Sequence, residues 1–137
     1  MSASVEINSA VCDNLSATLE DEADKVVRKF AFKIQAESQM AAPVDTGALR
    51  NSAFTKTSQG SSYQGAAATA KRKNPNARID EDISEDVEKG EAIIAYPMEY
   101  AIYVEMGTSK MPARSFLTSA AEANNEPFSQ ALKDLIK

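Results

Sequence analysis

The chain has no histidine and no tryptophan, a single cysteine, and only five glycines and five prolines in 137 residues. Without histidine it lacks the side chain that most often handles protons near neutral pH and most often ligates transition metals. That excludes Ser-His-Asp triads, zincin-type sites and imidazole shuttles. Cys12 has no second thiol to pair with and no imidazole to activate it, so it reads as a buried or spectator thiol in a protein made in a reducing compartment. No apolar run approaches the roughly 18 residues of a membrane span. The opening MSASVEINSAVCDNLS has neither a basic n-region nor an apolar h-region, which gives the expectation of a soluble, cytoplasmically made protein. Gly47, Gly60, Gly65, Gly90 and Gly107 form no phosphate-cradling loop. Positive charge is also short: 15 basic against 20 acidic residues give −5, which argues against a dedicated DNA-binding surface.

What is present supports one domain, 1–137, with room for one modest core. Leu15, Leu19, Ala23, Val26, Val27, Phe30 and Ile34 recur in steps of three and four and predict a long helix, capped by Asp13 or Ser9 and ended by Pro43. Glu20, Asp21, Glu22 and Asp24 precede Lys25, Arg28, Lys29 and Lys33, the order that the helix dipole favours. Residues 13–40 would span about 42 Å at 1.5 Å each, so the helix either projects as an oligomer contact or frays at its start. Residues 52–57 read as a strand with Phe54 buried, and Glu91–Tyr96 as a buried strand ended by Pro97. Tyr100–Met106 reads as a short helix or strand stopped by Gly107. Phe116, Leu117, Ala120 and Ala121 mark a helix broken at Asn124-Asn125, and Pro127 starts a last helix at its first position. The fold class is α+β, with the long N-terminal helix and the C-terminal helices packed on a small antiparallel sheet.

Residues 56–90 read differently, as a long arm or loop. Apolar residues are sparse there, Lys71, Arg72, Lys73 and Arg78 form a basic knot, and acids including Asp80, Glu81 and Asp82 follow at once. The knot fits either a nucleic-acid patch or, given its acidic neighbours, self-neutralisation or pairing with another subunit. Ile79, Ile83 and Val87 recur every four residues and suggest a short helix. With so little to bury, residues 58–90 are expected to order only against a neighbouring subunit, basic half to acidic half.

No enzyme signal survives inspection. Asp45 and Glu105 are the carboxylates that a nuclease-type Mg²⁺ ion would share, but no spacing demands it and an Asp in an Asp-Thr-Gly turn usually caps backbone. Asp45-Thr46-Gly47 echoes the aspartic-protease tripeptide without the strand-rich context which that chemistry needs. Tyr96, Tyr100 and Tyr103, near Met98, Met106 and Met111, suit a protein interface and core filling equally.

Two blocks, Ala42-Pro43-Val44-Asp45-Thr46-Gly47-Ala48-Leu49-Arg50-Asn51-Ser52 and Tyr100-Ala101-Ile102-Tyr103-Val104-Glu105-Met106-Gly107-Thr108, are followed by Met111-Pro112-Ala113-Arg114-Ser115-Phe116-Leu117. Together they resemble the tailed-phage neck and tail-completion proteins, the gene-product-ten family of HK-type lambdoid phages. That family's pattern runs P-V-D-T-G-x-L-R-x-S, then Y-A-x-Y-x-E-x-G-T and a Pro-Phe-Leu segment opening a C-terminal helix. The resemblance covers about 10–55 and 91–135; the family often has Pro before Phe where this chain has Ser115, and 56–90 aligns with no family pattern.

The resemblance implies a virion protein of the head-to-tail connector, assembled in the host bacterial cytoplasm. It would form a ring of identical subunits beside other connector, head-closure and tail proteins. DNA would pass without sequence-specific contact, with no cofactor, catalysis or membrane, and scattered acids would keep the channel wall from gripping phosphate. The positions carried over are structural: Pro43, Asp45, Thr46, Gly47, Leu49, Arg50, Tyr100, Ala101, Tyr103, Glu105, Gly107, Thr108, Pro112 and Phe116. Asp45 and Thr46 are expected to cap the turn bearing Leu49 and Arg50, and Gly107 to take a positive φ; an Arg50–Glu105 pair across the two motifs would be a surface contact worth little, about 0–1 kcal/mol, and nothing rests on it. The competing classes are a small regulatory or toxin-type protein of a mobile element and, third, the Mg²⁺ nuclease.

Overall fold

A computed structural model describes residues 3–8, 17–42, 47–76, 78–110 and 112–135; Ser9, Cys12, Asp13, Leu15, Pro43, Asp45, Thr46 and Met111 lie outside them. The elements run β1 (Ala3–Asn8), α1 (Ala17–Ala41), α2 (Ala48–Asn51), β2 (Phe54–Thr57), β3 (Gly60–Ser61), α3 (Tyr63–Lys73), β4 (Glu91–Tyr96), α4 (Ala101–Met106), α5 (Phe116–Ala123) and α6 (Asn125–Asp134). The strands form one antiparallel sheet in the order β1-β4-β2-β3. Helices and sheet share one core, as the α+β reading requires.

The apolar stripe of α1 does what its spacing predicts. Ala23, Val27, Phe30 and Ile34 are buried, and Ala31 with them. The stripe lies on β4, α5 and α6, with the Phe30 and Phe128 rings 5.4 Å apart. Dipole compensation is only half present, since Glu20 stands in the first turn of α1 and its last turn holds no basic residue. The N-terminal half is tied to the rest through Asp24, a buried carboxylate that accepts from Arg28 Nε (3.1 Å) and from the backbone N–H of Gly90 (2.7 Å).

β4 is the centre of the sheet, and its residues Ala92 to Tyr96 are all buried. Residues opposite one another in an antiparallel pair share a face. Val5 opposite Ile94, Ala3 opposite Tyr96 and Ile7 opposite Ala92 therefore belong to the face under α1. Phe54 opposite Ala95 and Lys56 opposite Ile93 belong to the other. A strand buried on both faces needs a second cover, and residues 60–90 provide it. Tyr63 packs edge-on against Phe54 at 5.3 Å and its hydroxyl donates to Asp80 O (2.8 Å), while the Lys56 ammonium donates to Ile83 O. Ile79 bridges to Met98, and Ala70 of α3 is fully buried.

Three expectations are corrected here. Residues 56–90 carry β3 and α3 and pack on their own chain, with Ala70 buried in the core beside α2 and Tyr63 set against Phe54. Residues 80–88 are not helical: Ile79, Ile83 and Val87 fall on one side of an extended run as readily as on one side of a helix, four residues being a multiple of the strand period. Pro127 is the third residue of α6, which starts at Asn125.

Tyr96 reports on the core. Ser38 Oγ donates its proton to Gln35 O (2.8 Å), so at 2.6 Å the Tyr96 hydroxyl is the donor to Ser38. Burial, the largest influence, pushes the phenol up from about 10 to about 12. The unfolded chain gives up this proton first, so the stabilisation is whole below pH 10 and is lost as pH climbs toward 12. The loss amounts to about 2–3 kcal/mol. Alkaline denaturation monitored by circular dichroism should show this slope in the wild type and a flatter one in Tyr96→Phe; identical slopes would refute the assignment.

Candidate functional site

The two sequence blocks each engage a helix end, the first the end of α1 and the second the start of α5. In the first, Gly47 takes φ 76 and ψ −9 and precedes α2. A left-handed residue at that point turns the chain into the helix without the Cβ clash that other residues would meet. Its carbonyl accepts from Asn51 N (3.0 Å) and Asn51 Nδ2 (2.7 Å), which closes the turn. Ala48 and Leu49 are buried in the core. The turn presents Arg50 to the end of α1, where its guanidinium donates to Ala42 O (3.3 Å) and Met40 O (3.4 Å), and Gln39 Nε2 returns a bond to Arg50 O (3.0 Å). A helix ends with unpaired carbonyls at its negative pole. Arg50 supplies the donor and the positive charge that the last turn of α1 lacks.

The second block works on the opposite pole of another helix. Ala101 and Val104 of α4 are buried, and the side chain of Glu105 is enclosed with them. Its carboxylate accepts the backbone N–H of Leu117 (3.0 Å) on one oxygen and of Thr118 (2.8 Å) on the other. These are first-turn amides of α5, whose first turn contains no acidic residue of its own. The Glu105 carboxylate caps them from another helix, the most favourable place for a negative charge near a positive helix pole.

For Glu105 to reach α5, the chain has to reverse between them. Gly107 does so at φ 78 and ψ 171, a region open essentially to glycine alone. The expected positive φ is therefore present, although ψ places it outside the left-handed helical well. The returning strand is pinned by Arg114 N to Val104 O (2.8 Å) and by Ser115 Oγ to Glu105 O (3.2 Å). Ser115, where the family often has Pro, thus anchors the helix start by a hydrogen bond instead of by a ring. Thr108 Oγ1 accepts from Lys110 N (3.2 Å) in the turn, Pro112 is exposed beyond it, and Phe116 seats its ring 4.8 Å from Tyr96 at 87°.

The Arg50–Glu105 pair does not form, because each group is already engaged with backbone at a different helix end. The same engagement removes Glu105 from a Mg²⁺ site shared with Asp45, a residue outside the described ones. Expected capping by Asp45 and Thr46 also lies there. Among the described residues no group of three or more Asp, Glu, Cys or His is placed to hold a metal ion, and no helix is long and apolar enough to cross a membrane.

The Tyr and Met group divides. Tyr96 and Met98 are core residues, whereas Tyr103 and Met106, one turn apart on α4, are 46% and 72% exposed; Phe32 and Met40 of α1 also face outward. Tyr100 and Tyr103 line a cleft of about 330 Å³ with Asn74, Asn76, Arg78 and Glu99. Sequence reasoning missed Ser38, Gln39 and Asn124, buried or half-buried polar residues of which Asn124 joins Ala120 O (2.8 Å) and Glu37. Nothing but a polar residue on an otherwise apolar stripe marks Ser38 beforehand.

A family model described as "Bacteriophage HK97-gp10, putative tail-component" matches residues 10–107. The range takes in both motif blocks up to Gly107 and includes 56–90. No match is found among curated proteins or solved structures.

Two substitutions test the elbow. Glu105→Ala strands two amides at the start of α5 and should cost about 2–3 kcal/mol, with faster hydrogen exchange at Leu117 and Thr118. Gly107→Val should cost about 1–3 kcal/mol through backbone strain. Wild-type melting temperatures in both variants would show that the elbow is not what holds α5.

Proposed function

The chain belongs to the HK97-gp10-like family of phage tail components, and from that premise we propose that it is a structural subunit of the head-to-tail connector, in the neck or at the tail-completion step. In this reading identical subunits close into a ring, contact neighbouring connector, head-closure and tail proteins, and let DNA pass without reading its sequence. It catalyses nothing and binds no cofactor. The observation that carries the reading is the use made of the two motif blocks: Arg50, Glu105 and Gly107 fix helix ends instead of facing a ligand. A motif that stiffens a body while Phe32, Met40, Tyr103 and Met106 point outward suits a subunit whose work is done through contacts with other proteins.

A closed ring requires a heterologous interface, one patch of each subunit meeting a different patch of the next. Native mass spectrometry and negative-stain electron microscopy of the purified protein, alone and with its neighbouring phage connector protein, should show a single ring species. A monomer at high concentration that also ignores the connector partner would overturn the proposal.

A further inference from the structure

The surplus of negative charge is not scattered over the surface. Six of the 20 acidic residues lie between Asp80 and Glu88, which leaves 14 acidic against 15 basic residues in the rest of the chain. Glu81, Glu85, Asp86 and Glu88 are exposed, on a segment without regular secondary structure. Lys71, Arg72 and Lys73 are exposed in the last turn of α3. Among the described residues no ion pair joins the two groups: Arg78 faces Glu99 at 3.8 Å, Lys89 pairs with Asp21, and Arg72 donates to Thr69. Self-neutralisation, one reading of the basic knot, is therefore not what the fold does.

Geometry explains why. The acidic run begins beside the start of α3, where Tyr63 donates to Asp80 O and Ser61 Oγ to Asp82 (3.2 Å), and the bases stand at its other end. Eleven residues of helix separate the ends by about 16 Å, beyond the Debye length of about 8–10 Å in ordinary buffers. Each end agrees in sign with the helix dipole, acids near the amino pole and bases at the carboxyl pole. Lys71, Arg72 and Lys73 and the acidic run therefore stand at opposite ends of α3, with Arg78 in the loop between them, and the two charged ends can meet directly only between copies.

The basic end is also shaped. The cleft that follows Lys73 is lined by Tyr100, Tyr103 and the Arg78–Glu99 pair among others, so its own charges balance and the net positive charge of this end is that of Lys71, Arg72 and Lys73. Lys73 lays its stem near Gly47, which keeps this end of α3 against the first motif block.

We propose that the basic carboxyl end of α3, Lys71, Arg72 and Lys73, receives the acidic segment 80–88 of a second copy of the chain. The inference rests on the ring reading and names its contact: a head-to-tail pairing of unlike patches, the kind that a cyclic assembly needs. Lys71, Arg72 and Lys73 supply orientation and association rate, and the exposed Tyr103, on the cleft that follows them, supplies apolar area.

Charge reversal with reciprocal rescue tests it. The variant Lys71→Glu, Arg72→Glu, Lys73→Glu and the variant Glu81→Lys, Glu85→Lys, Asp86→Lys should each weaken subunit association about tenfold or more, read by sedimentation velocity and native mass spectrometry with the connector partner present. The chain carrying all six changes should regain the ring, because its ends are again opposite in sign. Rescue separates lost contact from a damaged fold, since two destabilising sets would not repair each other. Wild-type association should also weaken as salt rises. Triple variants that assemble like the wild type, or a sixfold variant no better than either triple, overturn the contact while leaving the ring intact. A wild type that forms no ring overturns both.

Discussion

Every helix ends in backbone groups that its own ladder cannot satisfy, and in a chain this small most helix ends lie against protein. α1 reaches its carboxyl end with no basic residue in the last turn, and α5 starts with no acid in the first. Arg50 and Glu105 meet these two deficits from elsewhere in the chain. A buried donor or acceptor left unpaired costs about 1–3 kcal/mol, more where charge is involved, against a total stability of about 5–15 kcal/mol for a domain. Satisfying both ends is therefore a condition for the fold, and it locks α2 to α1 and α4 to α5. The remaining arrangement follows. With α5 pinned, Phe116 is delivered to Tyr96, and with Tyr96 seated its hydroxyl can reach Ser38 on α1.

The central strand imposes the second requirement. A run such as Glu91-Ala-Ile-Ile-Ala-Tyr96 has no polar face to turn to water, so it is stable only with protein on both sides. α1 and α5 cover one side with large residues, whereas the other is small, Phe54, Ile93 and Ala95, and needs little to close it. Tyr63 against Phe54 and the run through Ile83, whose carbonyl Lys56 holds, lie on that side. That economy explains how a segment poor in apolar residues packs: alanine has no side-chain entropy to lose and is the best helix former, so α3 forms where bulk is not required.

Legibility in the sequence follows the same physics. Elements that bury long side chains announced themselves through periodicity, α1 by Val27, Phe30 and Ile34, β4 by its apolar run, α5 and α6 by Phe116, Leu117, Phe128 and Leu132. The elbow was legible too, because glycine and a following proline-bearing loop have few other uses. α3 was hidden because Ala, Gly and Gln carry no strong period. β1 was overlooked although Val5 and Ile7 alternate with Ser4, Glu6 and Asn8, a two-residue period too short to stand out at a chain end. The Arg50–Glu105 pairing failed for a different reason: opposite charges in two neighbouring motifs invite pairing, but helix ends offer each of them several backbone partners at once. A pattern of types cannot show which partner is nearer.

Stiff interior and polar exterior are two consequences of one division of residues. Glu105 is enclosed and spends its carboxylate on two backbone amides, while Arg50, half-buried, bonds two carbonyls and keeps its buried Nε without a hydrogen-bond partner among the described residues. Exposed charges are spread over the molecule, Lys29, Lys33, Glu122 and Lys133 among them, but the end of α3 and the run 80–88 each gather charges of one sign. Had the acids of 80–88 been spread evenly, the surface would repel its own copies in every orientation. Gathered at one end of α3, they repel in most orientations and attract in one. Orientation is what distinguishes a ring from a disordered aggregate: a rim of exposed charge adds little affinity but penalises the wrong approach, while the exposed aromatic and Met side chains of α4 carry area without direction. A subunit built this way can present sticky surface at high local concentration and still associate with one geometry.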